Sequence, residues 1–283
     1  MTSRRQMKNK KLFPVLFSIL AVALVAIGGY FFFNKNQSSN TNTGNFPKTE
    51  QKATKSESKK ATYTVSAEEK EYLANRFAGL SATNSETVGY VYAPGTLLDE
   101  PVVQTTDNAT YLDKTFEGEN VPLLGAVFMD MDNSKNFDDE LTWLFGHARG
   151  SKVPDHRMFK VVNYYDDQAF FDEHPYVVIE TPERKYYYEA AFLIIVPETT
   201  AFYKTEFASK AEFKEQLTEV QKQSHTSNKN IVINENDKYL VLSTCREDDD
   251  TIRSNLYMRQ IPDEELPEFL EKHGDQLTYT PTR

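Results

Sequence analysis

The 283-residue chain has a single cysteine, a single tryptophan, only 11 glycines and 12 prolines, and no internal repeat. One cysteine excludes any disulfide within the chain. The modest glycine and proline content excludes collagen-like and low-complexity architectures. Without self-similarity at a period of about 20–50 residues a solenoid or propeller is excluded as well. What is present is the composition of a folded protein, 39% hydrophobic and 13% aromatic. The length suits one ordinary domain with additions, or at most two small ones.

Charge is absent where it matters most. Leu12 to Phe33 (LFPVLFSILAVALVAIGGYFFF) contains no charged residue. About 20 apolar helical residues cross a hydrocarbon core of about 30 Å. Arg4, Arg5, Lys8, Lys10 and Lys11 precede the run, and no acidic residue does. The positive-inside bias predicts a basic cytoplasmic tail over 1–11, a transmembrane signal anchor over 12–33, and an extracellular remainder. A cleaved secretory signal is the competing reading. The run is longer than a signal core of roughly 7–15 residues, and GGYFFFNKNQ offers no small-x-small cleavage site. Residues 34–61, rich in Ser, Thr, Asn, Gln and Lys, bury too little to fold and predict a flexible polar tether. That leaves 62–283 as the extracellular folded domain. Because residues 1–35 hold six basic and no acidic residues, the total of −10 leaves −16 on residues 36–283. Such an acidic portion argues against nucleic acid as a partner and suits a cationic group such as an amine.

The folded part opens with an amphipathic helix over 66–83, where Ser66 and Glu69 have capping-box spacing and Tyr72, Leu73, Phe77 and Leu80 form the apolar stripe. From Val88 the texture is β. VGYVYAP, EPVVQ, LGAVFMD, LTWLFGH, YVVIET, KYYYEAAFLIIVP, NIVI, KYLVLSTC and SNLYMRQIP are short runs rich in Val, Ile, Tyr and Phe. So many short strands predict a closed or nearly closed β-barrel, which removes exposed edges. Two further helices are expected, at 209–225 after a Ser209 cap and at 263–273 with Gly274 as its stop.

Cys245 ends the run Lys238–Cys245, beside the polar turn Glu247–Asp250. A thiol at a strand end is more reachable than one in mid-strand, and a reactive thiol needs a proton acceptor and oxyanion donors nearby. Alone, the residue is balanced between a nucleophile and a buried, inert cysteine. Of the histidines, His225 and His273 sit at predicted helix ends, where capping is the plainer role. His156 and His174 fall in polar loops, whereas His147 ends LTWLFGH at the mouth of a strand. Among the arginines, Arg246 adjoins the cysteine on the opposite face of an extended chain. Arg253 opens the next strand across a short turn, and Arg259 lies about 20 Å further along it. Hairpin geometry favours Arg253.

LVLSTC followed by an arginine that opens a strand resembles the Leu-x-Thr-Cys…Arg signature of the sortases, and Gly146-His147 resembles their histidine element. PVVQTTDNATYLDKTFEGENVPLLGAVFMD, FFDEHPYVVIET, the N-terminal helix and the helix over 209–225 are similar to class B members. The resemblance spans about residues 66–262. It implies a mainly β protein: a closed eight-stranded barrel with an N-terminal helix and a long helix inserted before the cysteine strand. It implies a membrane-anchored transpeptidase in which Cys245 holds a secreted protein, cleaved at its C-terminal sorting motif, as a thioester. His147 would move the protons, and Arg253 would hold substrate and oxyanion. Ser243, Thr244 and the backbone N–H of Arg246 are further candidates for substrate or oxyanion contact. The acceptor would be an amine, from a cell-wall precursor or a pilin lysine. Class B members usually follow the histidine with Asn, whereas this chain reads GHARGSKVPDHRMF, which leans toward the pilin-polymerising subgroup.

Asp130–Glu140 (DMDNSKNFDDE) looks like a calcium loop but lacks glycine at its sixth position, and Leu141 stands at its twelfth, so a solvated turn is expected. The acidic run 247–250 is either a solvated turn or a local attractor of a cationic acceptor. No metal or organic cofactor is implied. The alternatives are a cell-surface cysteine endopeptidase with water as acceptor, and a non-catalytic anchored binding module.

Overall fold

Runs of β-branched and aromatic residues become strands where a pleated surface can bury both of their faces. In the computed structural model, which describes residues 62–150, 153–200 and 202–283, nine such strands join in one sheet. They are β1 (Thr87–Tyr92), β2 (Asp99–Val103), β3 (Val127–Met129), β4 (Leu141–Phe145), β5 (Tyr176–Glu180), β6 (Lys185–Pro197), β7 (Thr226–Ser227), β8 (Tyr239–Cys245) and β9 (Ile252–Gln260). The hydrogen-bonded order is β5-β1-β2-β3-β4-β8-β9-β6, and β5 pairs back onto β6, so eight strands close into a barrel. Closure depends on the 13-residue β6, whose first half pairs with β5 along one edge while Tyr188–Pro197 pair with β9 along the other. β7 adds two residues to β6 beyond β5, outside the ring. The pairs β2–β3 and β4–β8 are parallel and the rest antiparallel.

The two-residue period of the strands divides them between two cores. Leu144, Leu240, Leu242, Leu256 and Met258 point inward among Val91, Val102, Val127 and Leu193. Leu141, Trp143, Tyr239, Val241 and Tyr257, one residue out of phase, face outward. The helix α4 (Lys210–Gln221) covers that outer face with Phe213, Leu217 and Val220, all buried. α1 (Ala67–Thr83) seals another part of the barrel, and the Ser66 hydroxyl accepts the Glu69 N–H as its cap. Its buried Leu73 and Phe77 each contribute about 1.5–3 kcal/mol. Two short helices, α2 (Thr110–Asp113) and α3 (Gln168–Glu173), and the terminal α5 (Leu266–His273) complete the set, with a 3₁₀ segment at Phe159–Asp166.

Two local expectations change. Residues 230–233 (NIVI) are not a strand, although their burial alternates, with Ile231 and Ile233 in and Val232 81% exposed. The Asn228 carbonyl instead accepts the Ile231 N–H and its side chain the Asn230 N–H, so the segment turns instead of pairing. α4 ends at Gln221, and the His225 N–H donates to the Leu193 carbonyl at the sheet edge, so His225 caps no helix. α5 stops at His273 with Gly274 as its C-cap, as expected, although Gly274 keeps a right-handed conformation and the chain runs on through a 3₁₀ turn at Gly274–Leu277. The apolar run 12–33 and the polar stretch 34–61 lie outside the described residues. Among the described residues no helix is long and apolar enough to cross a membrane.

One polar cluster ties α1 to the barrel. Glu180, fully buried at the end of β5, meets Arg76 Nε of α1 at 2.8 Å and Lys185 Nζ of β6 at 2.9 Å. The Arg76 guanidinium lies over the rings of Tyr90 at 3.8 Å and Tyr279 at 4.3 Å. Removing one member of a buried pair strands the other charge. Glu180→Ala should therefore destabilise the domain by about 3–5 kcal/mol, read as a lower urea midpoint with an unchanged slope.

Candidate active site

The register of β8 with its two neighbours assembles the site. Parallel pairing with β4 sets Phe145 opposite Ser243, which brings His147, two residues further on, level with Cys245. Antiparallel pairing with β9 sets Cys245 directly opposite Arg253. Cys245 and Arg253 share the outward phase of Val241 and Tyr257, so they emerge on the outer face beside the region under α4. His147, Cys245 and Arg253 line one cavity of about 280 Å³ with Asn108, Leu112 and Phe145. A larger depression of about 790 Å³, lined by Glu189, Asp237 and Arg259, holds no thiol. There Arg259 is taken up by Asp237, Glu189 and Glu265, opposite Tyr239 and six residues from the Arg253 position.

The cysteine is half-buried, and its carbonyl accepts a hydrogen bond from Asn163 Nδ2 at 3.1 Å, which fixes the strand end. His147 Nε2 lies 2.7 Å from the Leu112 carbonyl. A carbonyl oxygen only accepts, so Nε2 carries the proton in this contact. The Arg253 guanidinium is oriented by Glu198 Oε1 at 2.9 Å and by the Asp250 carbonyl at 2.6 Å. Glu198 follows β6 and borders both this cavity and a neighbouring one of about 290 Å³ lined by Trp143, Phe202 and Tyr203.

The remaining candidates are placed differently. Ser243 and Thr244 line the cavity, but their hydroxyls are engaged: Ser243 donates to Asn255 Oδ1 at 2.7 Å and Thr244 to the Gly146 carbonyl at 2.7 Å. The second bond ties the end of β8 to the base of the His147 loop. The expected role of the Arg246 backbone N–H as an oxyanion donor is corrected, because it donates to the Ile252 carbonyl at 3.0 Å and closes the β8–β9 turn. The Arg246 side chain turns to Asp166 at 2.9 Å, on the other face. The Leu112 carbonyl, Glu198 and Asn163 are not marked in the sequence. Each reaches the site through a contact from a distant segment, and the residue type carries no signal of it. Among the described residues no group of three or more His, Cys, Asp or Glu could hold a metal. Asp139 instead accepts from Asn133 Nδ2 and the Ser134 N–H inside the Asp130–Glu140 turn.

A barrel whose rim presents a cysteine, a histidine and an arginine to one cleft is the architecture of a cysteine transpeptidase. No family profile matches the chain. Pairwise comparison does. The chain is 27% identical to Sortase B of Staphylococcus aureus over 237 residues, 84% of this chain and 91% of that protein. It is 31% identical to Sortase B of Listeria monocytogenes over 188 residues, 65% of this chain and 71% of that protein. Among solved structures it resembles a Staphylococcus aureus sortase B–substrate complex (TM-score 0.61, 26% identity, 67% of this chain and 86% of that one). It also resembles a cysteine-to-serine mutant of Clostridium perfringens sortase B (TM-score 0.64, 27% identity, 69% and 91%). The chain belongs to the sortase B family.

Gly125 supports the histidine from beneath. Its φ is +56°, and a Cβ there would lie 2.6 Å from the Tyr111 carbonyl, 2.7 Å from the Leu112 carbonyl and 3.0 Å from His147 Cδ2. Gly125→Ala should therefore cost about 1–3 kcal/mol of stability and, by displacing the carbonyl that orients His147, about 10²-fold in turnover. Urea denaturation and steady-state kinetics measure the two losses separately.

Proposed function

We propose that this enzyme is a membrane-anchored extracellular sortase that cuts a C-terminal sorting motif of secreted proteins and transfers them to an amine. The observation that carries the reading is the meeting of Cys245, His147 and Arg253 in one cavity at the ends of β8, β4 and β9. In the first half-reaction the Cys245 sulfur adds to the scissile carbonyl, and its proton is passed on through His147. The tetrahedral oxyanion faces the Arg253 guanidinium. The C–N bond then breaks, the leaving amine takes a proton from His147, and the acyl group remains as a thioester. In the second half-reaction an acceptor amine attacks the thioester, loses a proton to His147 and expels the Cys245 thiolate, so a peptide bond is remade.

The uncharged run 12–33, the basic residues before it and the polar segment 34–61 support the anchor and tether. Residues 62–283 are the catalytic domain held outside the cell. The acceptor is a cell-wall precursor amine or a pilin lysine. The basic loop after His147 supports the pilin-polymerising assignment.

The test uses the full chain, a pool of peptides with a randomised core, and triglycine or an Nα-blocked lysine as acceptor. Mass spectrometry should find an acyl thioester on Cys245 and an amine-dependent ligation product. Cleavage at the same rate with or without amine, and no ligation product, would establish a hydrolase instead. Cys245→Ala should abolish thioester formation. His147→Ala should lower turnover about 10²–10⁴-fold. Arg253→Ala should lower it about 10²–10³-fold, while Arg253→Lys, which keeps the charge but not the fork geometry, recovers only part.

A further inference from the structure

The acidic turn 130–140 is empty of calcium-loop geometry, yet its first residue is a carboxylate with no access to solvent. Asp130 follows β3. Its Oδ1 accepts the Asp132 N–H at 2.9 Å, which closes the local turn. Its Oδ2 does something that turn does not need. It accepts Asn108 Nδ2 at 2.8 Å and the Tyr203 hydroxyl at 2.5 Å. Asn108 belongs to the loop between β2 and α2 and lines the Cys245 cavity. Tyr203 belongs to the segment between β6 and α4 and lines the neighbouring cavity. Among the described residues no lysine or arginine pairs with Asp130.

A buried carboxylate without a cationic partner is costly unless donors saturate it. Here all three side-chain contacts are donated to it, as an acceptor-only group requires. Burial, and then the hydrogen bond to Asp130, push the Tyr203 hydroxyl well above its ordinary range, so it remains a donor throughout the neutral pH range. The Tyr203 ring packs on Trp143 at 5.3 Å and Phe145 at 6.3 Å and is still 48% exposed. Its position therefore sets one wall of the neighbouring cavity, which shares Phe145, Glu198, Ser243 and Arg253 with the Cys245 cavity. The Trp143 indole N–H adds a second tie, to the Lys204 carbonyl at 2.9 Å.

We infer that Asp130 is a positioning residue that latches the Asn108 loop and the Tyr203 segment to each other, and so fixes the width of the continuous cleft that the two adjoining cavities form for the acyl donor. It acts on binding and touches neither the thiol nor the imidazole. Asp130→Asn leaves one acceptor oxygen for three donors, and Tyr203→Phe removes one donor while keeping the ring. The kinetic arm of the test rests on the transpeptidase reading; the exchange arm does not.

Both variants of the full chain should exchange the amides of residues 202–208 about tenfold faster than the parent, a loss in keeping with a charge-assisted hydrogen bond. Amides of β8 should be unaffected. For the peptide the parent turns over best from the randomised pool, KM should rise about tenfold with kcat within about twofold. Alkylation of Cys245 by iodoacetamide should keep its rate, and the double variant should be no worse than Asp130→Asn. Unchanged exchange at 202–208 overturns the latch. So does faster exchange spread over β8, or faster local exchange with KM unmoved. If the parent turns over no peptide, the functional reading fails, and the exchange result alone decides the latch.

Discussion

The site depends on one strand held between two unlike neighbours. β8 pairs in parallel with β4 and antiparallel with β9, and the two registers bring the ends of all three strands to one rim. A shift of either register by one residue would turn every outward side chain of the slipped strand inward. Such a slip would bury Tyr239 and Val241 on the wrong side and expose Leu240 and Leu242. The hydrophobic pattern that builds the two cores is therefore also what aligns Cys245 with Arg253. Stability and chemistry draw on the same constraint.

Around this rigid frame the orienting groups come from the short helices and loops between strands. The Leu112 carbonyl holds the histidine, Glu198 holds the arginine, and Asn163 holds the cysteine carbonyl. The division is economical in sequence terms. Strands fix where the site residues stand, and the segments between strands fix how they are turned and what surrounds them. Glu198 bounds two adjoining cavities, so the ion pair that orients Arg253 also forms part of the wall between them. A change in the loops can thus alter what enters the cleft without moving the strand ends.

Much of this was legible in the residues. The Ser66–Glu69 spacing marked the start of α1, and the strand-rich texture with its short turns marked a closed barrel. The short polar turn after Cys245 made Arg253 the arginine to choose, because a tight hairpin leaves little freedom in what stands opposite. Other features were hidden for physical reasons. NIVI has the alternation of a strand, but alternation reports burial on one side and says nothing about whether a partner edge exists. The Arg246 amide looked like an oxyanion donor because sequence does not show that the same N–H closes the hairpin. Glu198, Asp130 and the Leu112 carbonyl act across 50 or more residues of chain in two of the three cases, where only the folded register reveals the contact.

The position of β8 in the chain has a temporal consequence. Its partners are β4, almost a hundred residues earlier, and β9, immediately after it. Such long-range parallel pairing forms slowly and late. Until residues 239–260 have emerged and inserted, β4 and β6 each lack a neighbour, the ring is open, and His147 has neither thiol nor guanidinium beside it. By whatever route the chain is delivered, the nucleophile is therefore among the last parts to arrive and is caged as it arrives. A growing chain therefore holds the proposed Cys245, His147 and Arg253 site unassembled until the barrel has shut.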